Sequence, residues 1–117
     1  MRLLNQTRGT LLADRLKIAD SFFCRLRGLL GSHSLPAGEA LLIRPCKAVH
    51  MFGMRYSIDV AFADQAGQVL KTVAALAPGR LAKCPGAAWV AELPVGTLAA
   101  TATVPGDVLV VAQAGVE

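Results

Sequence analysis

The sequence predicts a mainly β protein, an antiparallel sandwich or a barrel with one short N-terminal helix. Apolar and polar residues alternate along much of the chain, and Gly or Pro interrupts the alternation at short intervals. Helical periodicity is confined to one segment. Hydrophobic residues make up 54% and charged residues 17% of the chain, which excludes a disordered tail or a coiled coil. With 117 residues, we expect a single domain over residues 1–117.

The first part of the chain predicts a hairpin and, later, a buried strand. Apolar segments over residues 2–7 and 10–16 flank an Arg-Gly pair, a pattern typical of two strands joined by a turn. The apolar run over residues 40–43 predicts a short buried strand. Pro45 follows it closely and ends it, because proline cannot donate a hydrogen bond to a sheet.

The segment between them predicts the helix. Asp20 or Ser21 is a suitable N-cap, and Gly31 is a suitable residue to end the helix. Apolar residues between these points recur at i, i+4, i+7 and i+8, namely Phe22, Leu26, Leu29 and Leu30.

The alternation is clearest from His50 to Phe62, where the even positions are mostly apolar and several odd positions are polar. This pattern predicts a strand with one core face and one polar face. Because the segment is longer than a usual strand, we expect a bulge or a break near residues 53–57. A turn over residues 64–67 then predicts a hairpin with a partner strand over residues 68–73.

The C-terminal part predicts two further strands. Trp89–Leu93 is one strand, and a low-periodicity loop precedes it over residues 78–86. A short helical turn from Thr97 towards Thr103 leads to an apolar run over residues 108–111, which predicts a buried closing strand.

Side chains capable of chemistry concentrate around residues 46–59, with two further candidates later in the chain. A carboxylate inside an apolar strand needs a partner if it is buried, and Glu92 is such a residue. Arg55, Arg80 and His50 are its candidate partners. The predicted binding cluster consists of Cys46, His50, Arg55, Asp59, Arg80 and Glu92. A buried structural cysteine, a hydrogen-bonded histidine and a structural ion pair are the alternative interpretation of the same residues.

The sequence predicts no metal site and no cofactor. Three cysteines are an odd number without CxxC spacing, and two histidines cannot form a multi-His site. We therefore expect free thiols and a reducing, cytoplasmic location. No apolar run is long enough to span a bilayer, and no secretory signal is evident.

The net charge of +4 is concentrated in the N-terminal half. A solvated basic surface is the ordinary interpretation of that charge, and no nucleic-acid-binding motif accompanies it. The expected partner is therefore an unknown small ligand or a protein, not a nucleic acid.

Several blocks, taken in their order, resemble the bacterial and archaeal domain of unknown function 192 family over roughly residues 10–112. They are Arg25-Leu26-Arg27-Gly28-Leu29-Leu30, the spaced residues Cys46, Val49, His50, Phe52, Met54, Arg55, Ile58, Asp59, Val60 and Phe62, then Gly67 with Val69, Gly86-Ala87, Glu92-Leu93-Pro94 with Gly96, and Gly106-Asp107. The resemblance implies a mainly β, jelly-roll-like sandwich or distorted barrel. It implies no established activity and no catalytic residues.

Three functions remain open from the sequence. The first is a small binding or accessory module whose polar groups from residues 46–59 and Glu92 line a pocket. The second is an enzyme that uses His50 with Cys46 or Asp59, which requires these side chains to lie within hydrogen-bond distance in a concave site. The third is a structural partner in a larger assembly, which predicts an exposed apolar patch.

Overall fold

The computed structural model describes residues 1–20 and 34–113. The helix predicted from Asp20 or Ser21 to Gly31 lies outside the described residues. Within them the chain forms ten strands and one short helix. The strands are β1 (Arg2–Asn5), β2 (Thr10–Ala13), β3 (Arg15–Ala19), β4 (Glu39–Ile43), β5 (Ala48–His50), β6 (Ile58–Ala63), β7 (Val69–Leu76), β8 (Leu81–Lys83), β9 (Trp89–Leu93) and β10 (Leu109–Ala112), and the helix is α1 (Thr97–Ala100).

The strands form three sheets. The largest has the order β3-β4-β9-β6-β7, a second has the order β10-β1-β2, and β5 pairs with β8. Among the described strands these sheets do not close on themselves, so the barrel alternative is wrong, while the mainly β prediction is confirmed. One pairing departs from the expected antiparallel pattern, because β3 and β4 run parallel.

The five-stranded sheet is the middle layer, and apolar clusters cover both of its faces. One cluster packs Leu41, Val60 and Val90 against residues of β5 and β8. The other packs Leu42, Ala61 and Leu93 against residues of β1, β2 and β10. All six residues of β6 are therefore buried. The predicted polar face of this strand is wrong, because a strand in the middle layer has no solvent side.

The segment from His50 to Phe62 breaks where a bulge or a break was expected. β5 ends at His50, β6 begins at Ile58, and residues 51–57 form turns between them. Phe52 is 60% exposed as a result, which corrects its assignment to the core face. The alternation continues through the turns in the sequence, but alternate residues share a face only while the backbone stays extended.

The hairpins agree with the prediction, and two C-terminal assignments need correction. β1 pairs with β2, and β6 pairs with β7 across the predicted turn, both antiparallel. The loop expected over residues 78–86 contains the short strand β8. The predicted closing strand corresponds to β10, which lies at a sheet edge and leaves Val111 42% exposed.

Candidate functional site

The pairing of β5 with β8 brings His50 beside Arg80 and Leu81. His50 lies opposite Leu81 in the ladder. The Met51 N–H then donates to the Arg80 carbonyl at 2.8 Å, and the Gly79 N–H donates to the Met51 carbonyl at 2.9 Å. His50 and Arg80, which are distant in the sequence, thus lie near each other at one end of this small sheet.

The turn that follows β5 places an aromatic ring over His50. The Met54 N–H donates to the Met51 carbonyl at 3.2 Å, which closes the turn. The rings of His50 and Phe52 stack with centroids 5.3 Å apart and planes 27° apart. Arg55, directly after the turn, is exposed, as is Arg80. We call the set His50, Phe52, Arg55, Arg80 and Leu81 the aromatic–arginine surface.

Cys46 and His50 are near each other in the sequence, but the His50 Nδ1 atom and the Cys46 thiol are not hydrogen-bonded to each other. The Cys46 thiol is buried and donates to the Ala48 carbonyl at 3.1 Å. The Nδ1 atom of His50 is buried and has no hydrogen-bond partner within the part of the chain that is described. A nucleophile and its base must lie within hydrogen-bond distance, and this arrangement lacks that bond.

Asp59 does not join the other candidates. Its carboxylate is buried and accepts three backbone N–H groups, from Ala75 at 2.9 Å, Leu98 at 3.0 Å and Gly96 at 3.1 Å. Such bonds satisfy a buried carboxylate without a counter-charge. Asp59 therefore joins β7 and the start of α1 to the middle sheet.

Glu92 lies on the opposite face of the same sheet. Its ladder neighbours are Leu41 and Val60, both members of the cluster that packs against β5 and β8, whereas Asp59 is paired with Leu93 of the other cluster. Glu92 is 3% exposed. Across residues 1–20 and 34–113, neither Arg55 nor Arg80 forms an ion pair with it. The predicted cluster thus does not form as one site. Arg55 and Arg80 are exposed, His50 is half-buried, Cys46 is buried, and the two buried carboxylates lie on opposite faces of the middle sheet.

A second polar cluster was missed by the sequence reasoning. The amide of buried Asn5 donates at 3.0 Å to both the Thr103 hydroxyl and the Asp107 carboxylate, and Arg8 donates to the same carboxylate at 3.1 Å. The Asn5 amide holds the pKa of Asp107 below its ordinary value of 3.8, with Arg8 and the Val104 N–H adding to the effect, although burial opposes it. Two features of the sequence could have indicated this cluster. The Gly106-Asp107 pair was part of the family resemblance, and Asn5 is a polar residue at the end of an apolar strand.

Two further observations limit the chemistry. Among the described residues, no group of three or more His, Cys, Asp or Glu side chains is arranged to hold a metal ion. No helix in the described ranges has the length and apolar character needed to cross a bilayer.

Residues 3–111 match the sequence profile of the domain of unknown function 192 family, which is described as an uncharacterised ACR. A UPF0127 protein of Thermococcus sibiricus is 34% identical over 100 residues, which are 82% of this chain and 65% of that protein. A UPF0127 protein of Thermococcus kodakarensis is 28% identical over 111 residues, 92% of this chain and 71% of that protein. The chain therefore spans less than two thirds of the first relative's length.

Two solved structures share the fold. A protein of unknown function from Novosphingobium aromaticivorans has a TM-score of 0.81 at 19% identity, covering 94% of this chain and 84% of its own. A proposed transcription regulator of Sinorhizobium meliloti has a TM-score of 0.78 at 20% identity, covering 93% and 89%. At these identities the similarity concerns the fold alone.

Proposed function

The chain belongs to the domain of unknown function 192 family, a family without an established activity, and we propose that it is a binding module. Its contact site is the aromatic–arginine surface, and its partner is a protein segment that carries carboxylates next to an apolar side chain. The proposal includes a cytoplasmic location, since neither Cys46 nor Cys84 forms a disulfide within the described residues.

The exposure of Phe52 is the observation that carries the proposal. Phe52 is 60% exposed and Leu81 is 50% exposed, and both adjoin His50, through the ring stack and through the strand pairing. Adjacent exposed apolar side chains mark interaction sites more often than isolated ones do. An aromatic ring held against a second ring also loses little conformational entropy when a partner binds.

The charges beside these rings favour an acidic partner. Arg55 and Arg80 are exposed, and neither forms an ion pair with a described residue. Arginine binds carboxylates through two parallel hydrogen bonds and is enriched at the energetic centres of interfaces. A partner with these groups would place its apolar side chain against Phe52 and Leu81 and its carboxylates on the guanidinium groups of Arg55 and Arg80.

The enzyme alternative has less support. It requires His50 to bond to Cys46 or Asp59, and the thiol and the carboxylate are each bonded to backbone groups instead. The alternative of a structural partner in an assembly overlaps with this proposal, because both place an exposed apolar contact on the surface.

A fluorescein-labelled peptide with one Leu among Glu residues tests the proposal by fluorescence anisotropy. We expect saturable binding at low salt that weakens as salt is added, because exposed ion pairs are screened. Phe52→Ser and the charge reversal Arg80→Glu each weaken binding at least about tenfold, as residues at an interface centre do.

The matched controls are Val95→Ser, at an apolar side chain that is 54% exposed elsewhere, and Lys17→Glu, a charge reversal on β3. Both should bind the peptide as the parent protein does. Equal affinity of Phe52→Ser and the parent protein would refute the assignment of the contact site. Absence of saturable binding by the parent protein would refute the acidic partner.

A further inference from the structure

A groove lies at one end of the central strands of the middle sheet, and it is lined by none of the residues of the aromatic–arginine surface. Three adjoining cavities of about 570, 540 and 180 Å³ share lining residues, and Gln65 contributes to all three. The strand order explains the groove, because β4, β9 and β6 are adjacent and antiparallel, so the end of β4, the start of β9 and the turn after β6 meet at the same end of the sheet. We call its inner part, lined by Leu42, Arg44, Gln65, Trp89 and Val111, the Trp89 cleft.

The inner part of the groove reaches the apolar core. Leu42 and Leu109 line the 180 Å³ cavity, and both belong to the cluster between the five-stranded and three-stranded sheets. An apolar cavity of about 150 Å³ is large enough to bind benzene. The cleft therefore has room for one phenyl-sized group between Trp89 and Val111.

The mouth of the cleft is polar. Arg44 is exposed and lines both the inner cavity and the adjoining 540 Å³ cavity. Its Nε atom donates to Asp20 at 2.7 Å, which uses one of the five guanidinium donors. Trp89 lines the same two cavities and packs against the cluster that contains Leu42 and Leu109.

The groove continues outward to a second cation and one carboxylate. Lys47 lines the 570 Å³ cavity, and no carboxylate of the described residues lies within ion-pair distance of it. Asp64 lines the same cavity, but its carboxylate accepts the Gln68 N–H at 2.9 Å within the turn. The groove is thus lined by two cations, Arg44 and Lys47, and by one carboxylate, Asp64, and this excess of positive charge favours an anion.

From this arrangement we propose that the Trp89 cleft binds a small aromatic carboxylate. The ring enters between Trp89 and Val111, and the carboxylate accepts from the Arg44 guanidinium at the mouth. A site that combines apolar side chains with a few convergent donors is typical of small-molecule binding. This site is separate from the aromatic–arginine surface and does not depend on its function.

Trp89 is the only tryptophan of the chain, so its fluorescence reports on this site. Titration with phenylacetate should change the emission saturably, with a dissociation constant in about the millimolar range for so small a ligand. Benzyl alcohol, which has the ring without the charge, should bind at least about threefold more weakly. Acetate, which has the charge without the ring, should leave the emission unchanged.

Two pairs of variants test whether phenylacetate binds in the Trp89 cleft or elsewhere on the protein. Arg44→Gln should weaken phenylacetate binding at least about threefold, whereas Asp20→Asn should not weaken it, because it removes the same surface ion pair but keeps the cation. Val111→Phe should fill the cleft and abolish binding. Val104→Phe, at a valine with nearly the same exposure, should have no effect.

Several results would overturn the proposal. The first is an emission that does not change saturably with phenylacetate in the parent protein. A second is equal binding by Arg44→Gln and the parent protein, or by Val111→Phe and the parent protein. Loss of binding in Phe52→Ser alone would place the ligand on the aromatic–arginine surface instead.

Discussion

At Asp59 a single buried carboxylate joins three segments that are distant in the sequence. It accepts the N–H groups of Ala75 in β7 and of Gly96 and Leu98 at the start of α1. Ala75 has a positive φ of 52° and lies at an irregularity in the pairing of β6 with β7. Asp59 was identifiable from the sequence as a candidate site residue, but its structural role was not, because its three donors belong to β7 and the start of α1, which are distant in the sequence.

Asp59→Asn keeps the side-chain volume and removes the charge that these three N–H groups face. We expect a loss of about 2–4 kcal/mol in the free energy of unfolding, because hydrogen bonds to a buried charged group contribute more than neutral ones. Urea denaturation measures it. Asp20→Asn, which removes an exposed ion pair with Arg44, should cost less than about 1 kcal/mol. Equal effects of the two substitutions would contradict the structural role of Asp59.

Asp107 predicts how stability depends on pH. Its pKa is lowered in the folded protein by Asn5 and Arg8, so the unfolded chain binds the proton more readily. The resulting stability is present above the ordinary value of 3.8 and is lost as the pH falls through the lower folded pKa. Asp107→Asn should therefore show a shallower loss of unfolding free energy below about pH 4 than the parent protein, measured by urea denaturation across pH. Identical pH profiles would contradict this assignment.

At the scale of elements, local signals were enough for the hairpins, and long-range pairings were not predictable. The turn between β6 and β7 was identifiable because Gly67 ends it, and Gly67 has a φ of 89°. The parallel pairing of β3 with β4 has no such local signal. The two-sided burial of β6 could not be derived either, because it depends on the sheets that cover both faces.

Gly67→Ala tests how closely this turn packs against β10. A Cβ atom on Gly67 would collide with the Leu109 carbonyl oxygen, and the positive φ adds strain. Gly79→Ala is the matched control, since its φ is 80° but a Cβ atom there meets nothing within 4 Å. We expect the control to cost about 1–2 kcal/mol and Gly67→Ala to cost at least about 1 kcal/mol more by urea denaturation. Equal costs would contradict the close approach of the turn to β10.

At the scale of the whole molecule, the fold separates the predicted cluster into parts with different roles. The mainly β class was predictable, because alternation and turn residues repeat along the chain. The aromatic–arginine surface was predictable only in part: His50, Arg55 and Arg80 were among the candidates, whereas Phe52 was assigned to the core. The exposure of Phe52 depends on where the strand breaks. Leu81 becomes part of the surface only through the pairing of β5 with β8.

An amide-resolved NMR titration of the parent protein with the acidic Leu-containing peptide tests the binding proposal most directly. The titration measures the amide shifts of the aromatic–arginine surface and of the Trp89 cleft in the same sample. We expect the largest changes in amide chemical shift at His50, Phe52, Arg55, Arg80 and Leu81, while the amide shifts of Gln65 and Trp89 stay unchanged. Changes centred on Gln65 and Trp89, or changes at neither site at peptide saturation, would contradict it.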